Sequence, residues 1–332
     1  MKFGEIPVSQ SENALVAHAV VLPGRRLKKG HVITDQDMTD LEAMGIGHLT
    51  VAQLEPGDVE ENAAARRIAA VLCEGELSPA EAFTGRVNIY AVCTGIFCAD
   101  RDLVDRLNRI SPSITLACLN DGEFVEAGRM VATVKIIPFA VEESLVARAV
   151  DIVSNGAVLL QAPSRALKIG LIATQLPSLK LATMDKTARI LADRLNPSGS
   201  QLIADQRVEH TSRAVADALN YLQDQCDVMI VFGASAITDL ADVIPAGIEQ
   251  SGGEVSYFGM PVDPGNLLLL GYLNGKTVIG APGCARSPAE NGFDWVLQRV
   301  ICDLPVDETY LSGLGVGGLL MEITARPQPR EG

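Results

Sequence analysis

Aromatic side chains are scarce in this chain: one Trp, five Tyr and eight Phe make up 4% of its 332 residues. A surface that stacks successive bases needs more of them, so a single-stranded nucleic-acid binder is disfavoured. Positive charge is short as well. The 27 Lys and Arg face 41 Asp and Glu, and the formal net charge of −14 opposes non-specific contact with nucleic acid or an anionic membrane. An anionic ligand would need a locally positive pocket. The seven cysteines form no CxxC pair, and Cys93 and Cys98 have no matching Cys or His pair to complete a zinc site. An odd set of unpatterned thiols reads as reduced, which leads us to expect a cytoplasmic protein. The opening "MKFGEIPVSQSENALVAH" lacks the charged-then-apolar pattern of a secretory signal, and no window resembles a membrane span. A serine-nucleophile triad is also missing: Ser235 has no G-x-S-x-G frame, and His210 is the single histidine of the second half.

What is present is an ordinary globular composition, 48% hydrophobic and 20% charged, over a length that allows two domains with full cores. Residues 1–162 mix short apolar runs with turn signals, such as "AHAVVLPGRRLKKGHVIT" and "RMVATVKIIPFAV" broken near Pro138. This reads as a smaller α+β domain with short antiparallel strands. A helix over about 142–154 closes it, with Leu145, Ala149, Ile152 and Val153 on one side and Asn155-Gly156 as its stop. Residues 163–305 alternate strand and helix. "LKIGLIAT", "SQLIADQRV", "CDVMIVFGAS", "GEVSYFGMPV" and "KTVIGAP" are the strands, and the unbroken apolar run of the third implies burial on both faces. The pattern predicts an α/β fold with a doubly wound, mostly parallel sheet. Residues 306–332 read as a C-terminal strand and a linker-like, proline-rich tail.

Ligands of such sheets sit at the carboxyl ends of the strands. Three loops there are small and carry Gly or Pro: Gly233-Ala234-Ser235-Ala236, Met260 to Asn266, and Ala281 to Arg286. After the first, Pro245 fits only the first turn of a helix, which makes Asp242 the N-cap of a helix running to about Gln250. Asp242 reads either as that cap or as a carboxylate holding Mg2+ against ligand phosphates. Asp239 and Asp263 lie near the same edge. In the third loop, Ser287-Pro288-Ala289-Glu290 has capping-box spacing, so a helix is expected from about Pro288. The turn 282–286 would then present backbone N–H groups and Arg286 to an anion. Cys284 beside that helix end reads as an ordinary loop cysteine or as a thiol of lowered pKa.

These motifs resemble a known family. "GASAITDLADVIPA" is similar to the G-G-T-G … D-V-T-P-E-A signature of the molybdopterin-binding (MoaB/Mog-type) domain, shared by molybdopterin adenylyltransferase and molybdopterin molybdotransferase. Gly233, Thr238, Asp242, Val243, Pro245 and Ala246 match it, with one extra residue between the halves; Ala234 and Ala236 replace two glycines. Pro264-Gly265 resembles the family's P-G-K-P loop, and Pro282-Gly283 its L-P-G-x-P loop. The whole chain looks closer to the molybdopterin-binding protein often fused to a nucleotidyltransferase similar to molybdenum cofactor cytidylyltransferase. "GMPVDPGNLLLLG", "APGCARSPAENGFDWVLQR" and "GVGGLLMEI" carry that likeness. The resemblance implies a role in molybdenum cofactor biosynthesis, with molybdopterin as ligand or substrate. It implies a site of Gly233, Ala234, Ser235, Thr238, Asp263, Pro264, Gly265, Asn266, Pro282, Gly283, Cys284, Arg286 and Ser287. Asp239 and Asp242 would be its catalytic carboxylates, with Mg2+ on Asp242. It further implies nucleotidyl or molybdate transfer, a nucleotide, a nucleotidyltransferase partner and a homo-oligomer. The alternatives are a non-catalytic module that presents the cofactor, and a nucleotide pyrophosphatase built on the same domain.

Overall fold

The computed structural model describes residues 1–73, 75–177 and 179–320. The chain divides into two units: Met1–Cys93 with Phe97–Gln161, and Thr94–Ile96 with the chain from Ala162 onward. The architecture is mixed α/β. Among the described residues no helix is long and apolar enough to cross a membrane.

The first unit is built from short antiparallel sheets. Lys2–Pro7 pairs with His48–Gln53, which also pairs with Leu15–Val16. Val20–Leu22 and Arg25–Leu27 form a hairpin through a Pro-Gly turn, where Gly24 takes φ +78°. Helix Asp35–Ala43 begins in a capping box, with Thr34 and Asp37 satisfying each other's backbone N–H groups. Val8, Val16, Leu27, Ile33, Leu41 and Val51 are the core here, each at most 1% exposed. Beyond them, a four-stranded sheet runs in the order Ile114–Cys118, Met130–Ile136, Arg86–Ala91, Leu77–Pro79. Helices Glu61–Leu72 and Glu143–Ser154 bury Ile68, Leu72, Val146 and Ala149 in its core with Ile89 and Val134.

The second unit holds a six-stranded sheet. Its elements are β1 (Lys168–Gln175), α1 (Leu181–Leu195), β2 (Gln201–Glu209), α2 (Ser212–Leu222), β3 (Val228–Phe232), α3 (Val243–Gln250), β4 (Glu254–Phe258), β5 (Leu269–Leu273), β6 (Lys276–Ala281), α4 (Gly292–Ile301) and α5 (Glu308–Gly313). The strand order is β2-β1-β3-β6-β5-β4. β2, β1, β3 and β6 are parallel, while β5 is antiparallel to both β6 and β4. β4 therefore points the same way as β6. Strand β3 is buried throughout. Its Val228, Ile230 and Phe232 meet α1 and α4 on one face, while Met229 and Val231 meet α2 and α3 on the other. Each fully buried Ile, Leu or Phe of these layers contributes about 2 kcal/mol of transfer free energy.

The structure corrects one expectation. The helix expected from Pro288 begins four residues later, with Asn291 as N-cap and Asn291–Asp294 as the capping box. The cause is Arg194 of α1. Its guanidinium donates to the carbonyls of Ala285 (2.9 Å) and Ser287 (2.6 Å), which turns those carbonyls away from any helical partner. Of the C-terminal strand and tail expected over 306–332, residues 321–332 lie outside the described residues. The described part holds α5 and an isolated parallel bridge between Leu319 and Asp263.

Candidate functional site

The three loops named from sequence follow β3, β4 and β6, which point the same way, so all three leave at one edge of the sheet. Phe232 pairs with Ala173 on one side and Ala281 on the other, so Thr174, Gly233 and Pro282 come off three adjacent strands at the same level. Strand order reverses between β1 and β3, because the chain passes from β1 outward to β2 and then back across to β3. Such a switch point opens a crevice at the carboxyl edge.

Gly233 begins the first loop. A Cβ there would lie 2.4 Å from Ser235 O and 3.0 Å from Ile244 Cδ1, so the tight reversal after β3 requires glycine. The next residue is held by β1: Ala234 N–H donates to Thr174 Oγ1 at 2.7 Å, and that hydroxyl lies 2.9 Å from His210 Nδ1. Thr174 is fully buried. The rest of the loop is closed by its carboxylates. Asp239 Oδ1 accepts from Ala241 N–H at 2.7 Å. Asp242 caps α3, with Oδ1 accepting from Val243 N–H at 2.7 Å and Oδ2 from Thr238 N–H at 3.2 Å. Ser235, Thr238 and Asp239 are exposed.

Arg286 ties the third loop to the first. It donates to Gly233 O at 2.9 Å and to Thr187 Oγ1 of α1 at 2.6 Å, and its guanidinium lies 5.0 Å from the centre of the Phe232 ring. Burial lowers its pKa, and among the described residues no carboxylate pairs with it. An arginine carries five N–H donors, so several remain for a ligand. Cys284 behaves oppositely to a reactive thiol. Burial pushes its pKa up, and the pull from the N–H groups of Cys284 and Ala285 does not reverse it. Gly283 is exposed, with open space where a Cβ would stand.

The helix end beside this loop is not open to an anion. At the start of α4, Asn291 Oδ1 accepts from Phe293 N–H at 3.1 Å, Asp294 Oδ2 accepts from Asn291 N–H at 2.8 Å, and Gly292 N–H donates to Pro264 O at 2.9 Å. Asp294 also holds Arg194 at 2.5 Å. Ser287 does not cap a helix; its Oγ accepts from Ala289 N–H at 3.3 Å. The second loop packs against α4. The Asp263-Pro264 peptide is cis, and a Cβ on Gly265 would lie 2.7 Å from Gly292 N, so glycine permits the close approach. Asp263 N–H donates to Gly318 O at 2.8 Å, and Asn266 is exposed with its carbonyl accepting from Met260 N–H at 3.0 Å.

The structure thus joins Gly233, Ala234 and Arg286 through named contacts, and joins Pro264 and Gly265 to the start of α4. Sequence reasoning missed Thr174, Thr187 and His210. Thr187 lies 99 residues from its partner Arg286, and no local signal marks it. A cavity of about 490 Å3 opens at the opposite edge, where β3 and β6 begin, beside Asp227 and Thr277. Its cations are already engaged: Arg165 pairs with Asp303 at 2.9 Å, and Lys276 donates to the carbonyls of Gln223 and Cys226. That leaves the carboxyl edge as the better place for an anion.

Residues 5–53 match a family model described as a domain of unknown function (DUF8806). No curated protein matches the chain. Similar solved structures include the molybdopterin biosynthesis moeA protein from Pyrococcus horikosii, at 14% identity and a TM-score of 0.33, covering 91% of this chain and 75% of that one. Another is a molybdenum cofactor biosynthesis protein from Pyrococcus furiosus, at 11% identity and a TM-score of 0.28, covering 93% of this chain and 67% of that one.

Proposed function

We propose that this protein binds molybdopterin and holds its phosphate at the carboxyl edge of the sheet, between β1 and β3, in the service of molybdenum cofactor biosynthesis. The observation that carries this reading is Arg286. It is a half-buried cation with no acidic partner among the described residues, fixed against Gly233, the first residue of the signature loop. A desolvated guanidinium without a carboxylate is suited to a phosphate, because charge-assisted hydrogen bonds gain strength where water is excluded. Thr174 holds Ala234 N–H and is itself held by His210, which fixes the start of the loop on the β1 side.

The chemistry assigned to Asp239 and Asp242 fits less well. Mg2+ is usually held by one or two carboxylates together with ligand phosphates and waters, in near-octahedral placement. Both oxygens of Asp242 and one of Asp239 already accept backbone N–H bonds. No group of three His, Cys, Asp or Glu suited to a metal ion occurs among the described residues. These residues do not by themselves build a Mg2+ site. This favours the presenting role, in which the bound pterin is handed to a nucleotidyltransferase, over nucleotidyl or molybdate transfer within this chain.

Titration of the purified protein with molybdopterin, followed by pterin fluorescence, tests the reading. Arg286→Ala should weaken binding about tenfold to a hundredfold, the effect of losing a charge-assisted hydrogen bond worth roughly 1.5–3 kcal/mol. It should also lower the melting temperature, because Thr187 and Gly233 O lose their donor. Arg286→Lys should recover part of the affinity. Unchanged affinity with a lowered melting temperature would make Arg286 a purely structural tie and sink the proposal. Parallel incubations with Mg-ATP, Mg-CTP or ADP-ribose should leave each nucleotide intact; turnover would restore the transferase or pyrophosphatase reading.

A further inference from the structure

The first unit contains a cavity of about 360 Å3 at the start of helix Glu61–Leu72, within the usual range of small-molecule sites. Three cations line it, Lys29, Arg86 and Lys135, against one carboxylate, Glu61. In a chain of net charge −14 such a local excess is unusual.

The four charges are not equivalent. Lys135 Nζ donates to Thr84 O at 2.7 Å and Ile136 O at 2.6 Å, and forms an ion pair with Glu61 Oε2 at 3.8 Å, so two of its donors are engaged by carbonyls and its charge is matched by Glu61. Burial lowers the Lys135 pKa and raises that of Glu61, and each partly offsets the other's shift. The two therefore form a desolvated pair that supplies no net charge. Backbone is pressed onto that pair. Thr84 and Gly85 both take positive φ, and a Cβ on Gly85 would lie 2.6 Å from Glu61 Oε2 and 2.9 Å from Lys135 Nζ. Asn62 Oδ1 accepts from Gly85 N–H at 2.8 Å and fixes this floor. The walls differ. Lys29 Nζ stands 5.1 Å over the centre of the Phe139 ring and has no carboxylate partner among the described residues. Arg86 has none either; among the described residues its side-chain hydrogen bond is a long 3.5 Å approach to Thr133 Oγ1. Two cations with donors to give thus face a neutral, rigid floor. Apolar surface lies beside them: Phe139 forms part of the wall, and Ile137 is 56% exposed.

We infer that this cavity binds a small organic phosphate, with Lys29 and Arg86 donating to the phosphate oxygens and Phe139 and Ile137 against its apolar part. Two unpaired cations match a dianion, whereas a single carboxylate would satisfy one of them. The apolar wall distinguishes an ester from the free ion.

Phenyl phosphate is a suitable probe, titrated calorimetrically into the full-length protein at fixed ionic strength beside inorganic phosphate and phenol. Phenyl phosphate should bind more tightly than inorganic phosphate, and phenol should give no heat of binding. Lys29→Ala and Arg86→Ala should each weaken phenyl phosphate about tenfold to a hundredfold, and Arg86→Lys should recover part of the loss. Glu61→Gln should tighten binding severalfold, because it removes the one negative charge lining the cavity and leaves Lys135 unneutralised. Circular dichroism checks that each variant is folded. The inference is overturned if phenyl phosphate does not bind, if it binds no better than inorganic phosphate, or if binding survives in the folded Lys29→Ala, Arg86→Ala double variant.

Discussion

Asp37 shows how one side chain can hold a small layer together. It is 1% exposed, yet its carboxylate receives hydrogen bonds from Thr34 N–H (2.9 Å), from the Thr34 hydroxyl (2.8 Å) and from His31 Nε2 (2.8 Å), with Arg25 at 2.6 Å. Burial alone would raise its pKa; the bonds from His31, Thr34 and Arg25 override it and hold the carboxyl well below the usual carboxylate range. Asp37→Ala should destabilise the first unit by about 2–4 kcal/mol, since it removes a cap and leaves Arg25 and His31 without their buried partner. The effect carries a pH signature. A carboxyl whose folded pKa is depressed stabilises fully above its unfolded value, roughly 3.9, and loses that contribution as pH falls through the folded value. Urea melts of both proteins should thus differ most above about pH 5, and the gap should shrink steadily as pH falls below the unfolded value of roughly 3.9. A gap independent of pH would mean that packing, not charge, holds the site. Sequence reasoning passes over Asp37 and Thr34, although a Thr followed three residues later by Asp marks a helix start. It finds Asp242, because Pro245 can sit only in a first turn. Arg286 reads as a cation in the right loop, but its partners Thr187 and Gly233 lie 99 and 53 residues away, beyond any local pattern.

At the scale of elements, strands and helices with strong periodicity are legible. The third strand of the second unit reads as buried on both faces, and β3 is buried at all five positions. Helix Glu143–Ser154 and the helix after Asp242 also stand where the sequence puts them. Short elements are less legible: helix Arg101–Asn108 has only Leu107 fully buried, and its apolar face of Leu103, Val104 and Leu107 covers little more than one turn. The start of α4 shows a different failure. Two caps compete in sequence, Ser287 with Glu290 and Asn291 with Asp294, and both have acceptable spacing. The choice is made by Arg194, which lies 91 to 100 residues away and takes the carbonyls of Ala285 and Ser287 as well as Asp294. Asn291→Ala should therefore cost about 1–2 kcal/mol of stability, while Ser287→Ala should change it by less than about 0.5 kcal/mol. Chemical denaturation of the two variants decides between the caps, and equal losses would contradict the observed helix start.

At the scale of the whole molecule, the mixed α/β class follows from the alternation of elements after residue 163, and the sheet order does not. Alternation says that the strands are largely parallel; it does not say that β5 turns antiparallel or that the order reverses between β1 and β3. That reversal matters because it brings Thr174, Ala234 and Arg286 together at the carboxyl edge of the sheet. Every residue in this proposed site, from Thr174 to Arg286, belongs to the second unit, as do both of its large core clusters. A fragment of residues 162–332 loses only Thr94–Ile96 from that unit, including the bond from Ser164 N–H to Thr94 O at 2.8 Å. With the six-stranded sheet and both covering layers intact, the fragment should fold cooperatively, at a melting temperature a few degrees below that of the intact unit, for the loss of about 1 kcal/mol. It should bind molybdopterin with a dissociation constant within about threefold of the full-length protein, a change of under roughly 0.7 kcal/mol. Circular dichroism establishes whether the fragment is folded, and pterin fluorescence reads the affinity. A folded fragment that has lost binding would show that the first unit supplies part of the site, and the assignment of the ligand to the β1–β3 crevice alone would fail.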